Sequence, residues 1–132
     1  MPPFTIITGA SSGIGLATAI LFAKKGYHLL LLARRSEKLQ HSIDNRQDGF
    51  TPERVLVLHC DVTKADQYKN CIEQAKEHFG GPVDCLINNA GIGYIQELAE
   101  QPLEHQYSMF ETNVLGLLNG IHFVIQDMKK NH

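Results

Sequence analysis

The sequence predicts an α/β fold, a doubly wound parallel sheet with helices on both faces. Three observations support this prediction. Short, continuous apolar runs alternate along the chain with longer stretches of helical periodicity, as expected when buried parallel strands alternate with crossover helices. The first apolar run leads directly into the glycine-rich turn TGASSGIG. Polar residues follow each of the later runs, at the point where a strand would end.

Four apolar runs are predicted to be strands. They are short and apolar at nearly every position, which is typical of strands buried on both faces of a parallel sheet. The predicted strands cover residues 4–8, 28–33, 54–59 and 83–87. A single domain is expected for residues 1–132, because the sequence contains no linker, repeat or low-complexity tract.

Helices are predicted between and after these strands. The first follows the glycine turn, where the apolar residues have helical spacing, and should end at the glycine after two lysines. Ser36 is expected to cap the second helix, which runs towards Arg46. Thr63 and Asp66 resemble a capping box for a third helix that ends at FGGP. A long final helix is expected over residues 102–130.

Right-handed crossover connections determine the expected order of the strands. The first two helices should cover one face of the sheet while the second and third strands step outward. The chain then returns to place the fourth strand beside the first, and the later helices cover the opposite face. This predicts a Rossmann-type order of 3-2-1-4. A ligand would bind between strands one and four, beyond the carboxyl ends of the strands.

Composition and charge exclude several functional classes. Of the 132 residues 43% are apolar and 20% are charged, and the net charge of -2 provides no basic field for nucleic acid or an anionic membrane. The longest apolar run, residues 29–33, is too short to cross a bilayer, and no secretory leader precedes the first strand. We therefore expect a cytoplasmic protein with no nucleic-acid or membrane partner.

The cysteine and histidine patterns do not indicate a metal site. Cys60, Cys71 and Cys85 form no CxxC pair, and we interpret them as reduced, mostly buried thiols. The seven histidines are scattered, without HxH or HxxxH spacing. We therefore expect no bound metal ion.

The glycine turn allows two interpretations. Backbone N–H groups and the positive end of the following helix can face an anion at close range, which would suit a phosphate. The alternative is a tight strand-to-helix turn that binds nothing, and a glycine cluster alone does not decide between the two. Three further stretches follow predicted strands and favour a ligand. They are ARR at 33–35, CDVT at 60–63 and NNAG at 88–91.

Together these motifs resemble the short-chain dehydrogenase/reductase family. TGASSGIG after the first strand, DV after the third, NNAG after the fourth and the asparagine in ETNVLG have the order and spacing of that family. The match runs from residue 4 to the last residue. The resemblance implies an oxidoreductase that uses a nicotinamide dinucleotide and transfers hydride to or from a small carbonyl or alcohol substrate.

The resemblance also implies roles for individual residues. The turn residues would hold the pyrophosphate, and Asp61 and Val62 would contact the adenine. Asn88 and two other residues of NNAG would approach the nicotinamide-side ribose and pin strand four to its neighbour. Asn113 would help to hold a proton-relay water, although a helix-packing role fits it equally well. The expected cofactor-binding residues are Gly9, Ser11, Ser12, Gly13, Ile14, Gly15, Arg34, Arg35, Asp61, Val62, Asn88, Ala90 and Gly91.

Arg34 and Arg35 favour NADP(H) over NAD(H) as the cofactor. No carboxylate stands at the end of the second strand to bond a ribose 2′-hydroxyl, whereas a guanidinium offers forked donors to a 2′-phosphate. The alternative is a solvated arginine pair that opens the next helix. Cations at a helix N-terminus are unfavourable, however, so two of them suggest a compensating anion.

The residues that carry proton transfer in this family, a Ser and the Tyr and Lys of YxxxK, have no match in the sequence. Tyr27, Tyr68, Tyr94 and Tyr107 are followed four positions later by Leu, Ile, Leu and Glu. We therefore expect the first, cofactor-binding half of an oxidoreductase, truncated before the fifth strand. The alternative is a catalytically inactive nucleotide-binding or assembly module.

The final helix is expected to take part in self-association. Its apolar residues lie on nearly every side, which is more surface than four strands can cover. Gly116 and Gly120 would leave a groove into which another backbone could fit closely. In the family the equivalent helix also packs on a second subunit. The resemblance therefore implies a homo-oligomer through residues 102–130, and the open edge of strand four is a second possible contact.

Overall fold

A computed structural model describes residues 1–131 as four strands that alternate with helices. The strands are β1 (Phe4–Thr8), β2 (His28–Ala33), β3 (Val55–His59) and β4 (Cys85–Ile87). The helices are α1 (Gly13–Lys24), α2 (Ser36–Ile43), α3 (Ala65–Phe79), α4 (Leu103–Phe110) and α5 (Gly116–Asn131). A wide π-helical turn at Glu111–Leu115 separates the last two.

The four strands are parallel and lie in the order β3-β2-β1-β4, which confirms the predicted topology. β1 is central, since Ile6 pairs with Leu30 of β2 on one side and with Leu86 of β4 on the other. Parallel strands need crossover connections, and right-handed ones place α1 and α2 on one face and α3 and α5 on the other. The space between the ends of β1 and β4 is therefore a topological switch point.

Two apolar clusters, one on each face of the sheet, hold the helices in place. Side chains alternate along β1, so Phe4 and Ile6 face α3 and α5 while Ile7 faces α1 and α2. The small side chains of Ala19 and Ala23 let α1 lie close to the sheet. Each fully buried large aliphatic side chain contributes about 1.5–3 kcal/mol. The buried runs of β1 and β2 therefore anchor the fold.

The two helix caps predicted from the sequence are wrong. α2 begins at Ser36 itself, with Arg35 in the cap position and no side-chain cap, and it is shorter than predicted. α3 is preceded by Lys64, and the Thr63 hydroxyl instead donates to Asp61 Oδ1 at 2.7 Å. That carboxylate is charged and only two residues away, so it competes successfully with the helix amides for Thr63.

The final helical segment runs from Leu103 to Asn131, close to the predicted 102–130, and contains a π-helical turn that the sequence did not predict. The π-helical turn separates α4 from α5. Gly116 and Gly120 face the core of the chain itself. A Cβ at Gly116 would come within 2.5 Å of Val62, and one at Gly120 within 2.5 Å of the Tyr68 hydroxyl oxygen. The predicted groove for another backbone is therefore wrong, because side chains of this chain already fill it.

Asp127 joins α5 to the rest of the fold. Its carboxylate lies 2.8 Å from Lys76 Nζ of α3 and accepts a 3.2 Å hydrogen bond from the Val83 amide, just before β4. Burial raises the pKa of this carboxyl, but the bonds from Lys76 and Val83, with the charge of Lys130, outweigh burial and lower it below the ordinary value of 3.8. Folding therefore favours the ionised form.

Replacing Asp127 by Asn is expected to lower the free energy of unfolding by about 1–3 kcal/mol near neutral pH, because Lys76 loses its charged partner. A carboxyl with a lowered pKa stabilises the fold above its unfolded-state pKa, and this effect is lost as pH falls through the folded-state value. Urea unfolding of both chains at about pH 7 and about pH 3 should show a difference that shrinks in acid.

The control for this measurement is Glu73→Gln, which removes only an exposed 3.9 Å ion pair with Lys69. Exposed pairs of this kind contribute about 0–1 kcal/mol, so the control should change little. A penalty for Asp127→Asn that is equal at both pH values would contradict the role assigned to the ionised carboxylate.

Candidate functional site

A crevice opens where β1 and β4 end, at the switch point of the sheet. Its volume is about 270 Å³, and it is lined by the turn after β1, the ends of β2 and β3, the loop after β4 and the π-helical turn. Ligands of open α/β sheets bind at such positions, beyond the carboxyl ends of the strands. The lining residues are Gly9, Ser11, Ser12, Ala33, Arg34, Arg35, Cys60, Asp61, Val62, Asn89, Ala90, Gly91, Ile92 and Thr112.

The turn after β1 brings the start of α1 to one side of this crevice. Gly9 and Gly13 have positive φ angles of 63° and 57°, which residues with a side chain rarely adopt. Gly9 also lies against the backbone of Ala90, where a Cβ would approach within 2.8 Å. Ser12 makes no side-chain cap, and the first turn of α1 has no acidic residue. The first amides of α1 are therefore available to an anion.

Asn89 and Thr8 join β4 to β1 beside the crevice. The side-chain amide of Asn89 donates to the carbonyl oxygens of Thr8 at 3.1 Å and Gly9 at 3.0 Å. In return, the Thr8 hydroxyl oxygen accepts the backbone N–H groups of Asn89 at 3.0 Å and Ala90 at 2.9 Å. These hydrogen bonds, here called the Thr8–Asn89 junction, continue the contact between the strands beyond their last paired residues.

The predicted role of Asn88 in pinning strand four to its neighbour is wrong. Successive residues of an extended segment point to opposite sides, so the two asparagines do not share one task. Asn88 is directed towards α5, where its side-chain nitrogen lies 3.5 Å from the carbonyl oxygen of Leu117. Asn89, which the motif analysis does not single out, is directed towards β1. The dipeptide NN does not reveal this difference, since a shift of one residue exchanges the two faces.

Asp61 is held ionised at the end of β3. Burial raises the pKa of its carboxyl, but hydrogen bonds from the hydroxyl and amide of Thr63, with the charges of Arg34 and Lys64, outweigh burial and lower it. The two bonds from Thr63 measure 2.7 and 3.0 Å. The backbone N–H of Asp61 also donates to the side chain of Gln67 in α3. Asp61 therefore presents a fixed hydrogen-bond acceptor at the crevice.

Arg34 and Arg35 lie between the crevice and an adjoining hollow at the start of α2. His59 Nδ1 lies 2.9 Å from the Arg34 carbonyl oxygen and donates to it, which fixes one side of the hollow. Within residues 1–131 neither guanidinium forms an ion pair. Three cationic side chains and one carboxylate give the hollow a positive charge. It is lined by Arg34, Arg35, Ser36, Glu37, Lys38 and His59.

Asn113 lies in the π-helical turn and holds the loop that follows β4. Its side-chain oxygen accepts the Ile92 N–H, and its side-chain nitrogen donates to the Ile92 carbonyl oxygen, both at 2.8 Å. Thr112 and Ile92 line the crevice, but Asn113 does not. The amide is thus directed at the loop and makes no hydrogen bond back along its own helix. It positions backbone beside the crevice.

Most of the predicted cofactor-binding residues line the crevice. Gly13, Ile14 and Gly15 do not, because they form the first turn of α1, and Asn88 does not, because it faces α5. Gly15 instead packs against the Gly9 carbonyl and the Asn89 side chain. Sequence analysis missed five lining residues, although each lies within or directly beside one of the motifs. They are Ala33, Cys60, Asn89, Ile92 and Thr112.

The three cysteines are free thiols. Cys60 and Cys71 are buried and Cys85 is half-buried, which confirms that the cysteines are mostly buried. Within residues 1–131 no three His, Cys, Asp or Glu side chains are grouped so that they could hold a metal ion. Among the helices of the same part of the chain, none is both long and apolar enough to cross a bilayer.

Known proteins are similar to this chain over most of its length. The family model for short chain dehydrogenases matches residues 3–132. An uncharacterised oxidoreductase of Listeria innocua is 42% identical over 120 residues, which cover 91% of this chain and 47% of that protein. The 11-beta-hydroxysteroid dehydrogenase A of Sesamum indicum is 42% identical over 95 residues, which cover 72% of this chain and 27% of that protein.

Solved structures share the fold. An alcohol dehydrogenase of the archaeon Thermococcus sibiricus, complexed with 5-hydroxy-NADP, has a TM-score of 0.85 at 33% identity over 98% of this chain and 55% of that one. A glucose/ribitol dehydrogenase of Brucella melitensis has a TM-score of 0.87 at 28% identity over 96% of this chain and 50% of that one. The chain thus spans about half the length of the Listeria, Thermococcus and Brucella proteins and about a quarter of the Sesamum enzyme.

Asn89→Ala is expected to lower the free energy of unfolding by about 1–3 kcal/mol, because the carbonyl groups of Thr8 and Gly9 lose their partner in a partly buried place. The matched variant Asn88→Ala should change stability by about 0.5 kcal/mol or less, since its one contact is long. Urea unfolding monitored by circular dichroism measures both. An equal decrease in the free energy of unfolding for the two variants would contradict the role of Asn89 in the Thr8–Asn89 junction.

Proposed function

The chain belongs to the short-chain dehydrogenase/reductase family, and on this premise we propose that its crevice binds NADP(H). One observation carries the proposal: the glycine turn, the start of α1 and an arginine pair converge on a single crevice. The reaction proposed for the whole protein is hydride transfer between the nicotinamide ring and a small carbonyl or alcohol substrate.

The crevice has the features that a dinucleotide requires. Gly9 brings backbone close to Ala90, and no described atom lies within 4 Å of the position that a Cβ at Gly13 would take. That open space adjoins the first amides of α1, which have no capping side chain. Backbone N–H groups at a helix start are a common binding site for phosphate. These residues therefore fit the pyrophosphate of a nicotinamide dinucleotide.

The proposed roles follow the positions of the residues around the crevice. Gly9 and the two serines of the turn would bind the pyrophosphate, and Asp61 would accept a hydrogen bond from the adenine amino group, beside Val62. The backbone from Ala90 to Ile92 would border the nicotinamide-side ribose, and Asn113 would hold this backbone in place. Bound nicotinamide would supply the hydride acceptor or donor.

The preference for NADP(H) over NAD(H) is proposed from the charges around the hollow. Arg34, Arg35 and Lys38 outnumber Glu37 there, and β2 ends without a carboxylate that could bond a 2′-hydroxyl. A 2′-phosphate would supply the anion that two cations at the start of a helix need. The Thermococcus sibiricus alcohol dehydrogenase was solved with 5-hydroxy-NADP, which supports the same choice.

Catalytic proton transfer is not proposed for residues 1–132. None of the four tyrosines stands in a YxxxK sequence, so the family's Tyr and Lys have no counterpart here. The proposed contribution of these residues is to bind and orient the cofactor. In the family, the activity of a complete protein also needs the groups that act on the substrate oxygen.

Self-association is proposed through an apolar surface on the last two helices. We call it the α4–α5 surface, and its side chains are large and exposed in the single chain. Most of these side chains recur at helical spacing, and large exposed apolar surfaces usually mark interaction sites. The proposed partner is a second copy of the chain. The surface comprises Leu103, Tyr107, Phe110, Val114, Leu115, Leu117, Leu118, Ile121 and Ile125.

Arg34→Ala is expected to weaken NADPH binding about 10–100-fold, since a charge-assisted hydrogen bond contributes about 1.5–3 kcal/mol. NADH binding should change little, because NADH has no 2′-phosphate. Fluorescence titration of both cofactors against both chains measures this. Arg46→Ala, which removes a guanidinium paired with Asp48, is the control. Equal affinities of the unmutated chain for NADPH and NADH would contradict the proposed preference.

The chain is expected to be dimeric or larger at micromolar concentration, because the α4–α5 surface would otherwise stay in water. Light scattering across a dilution series measures its mass. Leu118→Lys places a charge in this surface and should shift the protein towards monomer. Leu21→Lys is the matched control, because Leu21 is 54% exposed on α1 and Leu118 is 52% exposed on α5. A monomer at every concentration, or an equal effect of both variants, would contradict this interface.

A further inference from the structure

Two of the three cysteines lie together beside the crevice. Cys60 follows β3 and lines the crevice, while Cys71 lies in the second turn of α3. Both are buried, with exposures of 2% and 7%. The Cys71 thiol donates to the carbonyl oxygen of His59, the residue before Cys60, at 3.5 Å. The third cysteine, Cys85, lies on β4 and is separate from this pair.

The two cysteines are neighbours in one buried apolar cluster, and their backbones are fixed. The nearby Cys71 thiol, together with burial, raises the pKa of Cys60, and the nearby Cys60 thiol lowers the pKa of Cys71. The Cys60 N–H donates to the Ala33 carbonyl oxygen at 3.1 Å, which continues the pairing of β3 with β2. Cys71 is fixed within a regular helix. A link between the two side chains would therefore join two segments that are already adjacent.

We propose that Cys60 and Cys71 form a reversible intramolecular disulfide when the chain meets a peroxide. None of the roles proposed for cofactor binding uses either thiol. Formation of the disulfide can therefore be tested independently of cofactor binding. The bond would link the end of β3 directly to α3, next to Asp61. It would replace the weak hydrogen bond between the Cys71 thiol and His59.

The reaction balances with one peroxide for each pair of thiols. The Cys71 thiolate attacks one oxygen of hydrogen peroxide, the O–O bond breaks, and the departing hydroxide takes a proton to give water. The product is a sulfenic acid on Cys71. The Cys60 sulfur then attacks the sulfenic sulfur, forms the S–S bond and releases a second water. Two sulfur atoms are oxidised and the peroxide is reduced, and a dithiol reductant reverses the step by exchange.

The crevice brings a small oxidant to Cys60, next to Cys71. Cys60 lines it, and hydrogen peroxide is small enough to enter a space of about 270 Å³. Cys85 has a different environment, since it lies within the sheet on β4, opposite Thr5 of β1. Pairing of Cys85 with either other cysteine would require β4 to leave β1, with which it is paired from Thr5 to Ile7. Cys85 is therefore the internal control.

The test treats the full 132-residue chain with hydrogen peroxide, then denatures it and alkylates the remaining thiols with N-ethylmaleimide. The expected result is the loss of two of the three alkylatable thiols, with an intact mass lower by two hydrogen atoms before alkylation. Digestion should yield one linked peptide that contains Cys60 and Cys71. Dithiothreitol should restore all three thiols.

Variants identify the pair. Cys85→Ala should still lose two thiols, whereas Cys60→Ala and Cys71→Ala should each form no intramolecular link. With Cys60→Ala, a dimedone adduct on Cys71 would identify the sulfur that is oxidised first. Retention of all three thiols in the unmutated chain, a link that includes Cys85, links only between chains, or over-oxidation without a link would overturn the proposal. The peptide map of the unmutated chain tests the proposed Cys60–Cys71 link even if a variant fails to fold.

Discussion

The Thr8–Asn89 junction is the contact on which the candidate site depends. β4 is only three residues long, from Cys85 to Ile87, so its pairing with β1 ends before the glycine turn begins. The side chains of Thr8 and Asn89 extend the contact through hydrogen bonds that satisfy backbone groups of both strand ends. Gly9 is thereby brought against Ala90, and the start of α1 faces the loop after β4. The junction therefore helps to hold the two sides of the crevice at a constant separation.

Opposite charges occupy neighbouring ends of strands, and the arginine affects the ionisation of the carboxylate. Arg34, at the end of β2, helps to keep the Asp61 carboxyl ionised at the end of β3, although burial acts against it. Thr63 contributes by bonding the carboxylate in place of capping α3. One crevice therefore offers a hydrogen-bond acceptor, the Asp61 carboxylate, close to hydrogen-bond donors such as the Arg34 guanidinium. A ligand that carries an amino group and phosphates could use both.

The two sides of α5 differ in how completely they are covered. On the inner side, Gly116 and Gly120 let α5 approach Val62 and Tyr68 closely, and Val124 is buried. Other large apolar side chains of α4 and α5 remain exposed on the outer side. Close packing on one side of a helix and exposed apolar surface on the other have the same cause, which is the placement of the two glycines.

The sequence by itself determined the fold and the location of the site. Apolar runs and right-handed crossovers are sufficient to order the strands, and the motifs mark the strand ends that surround the crevice. The tertiary structure alone decided which of Asn88 and Asn89 joins the strands, because a shift of one residue reverses the direction of a side chain. It also decided that Thr63 bonds Asp61 and that Gly116 and Gly120 face inward, since each depends on a competing partner brought close by folding. Periodicity identifies the apolar face of a helix or strand, but only the folded structure shows which residues that face contacts.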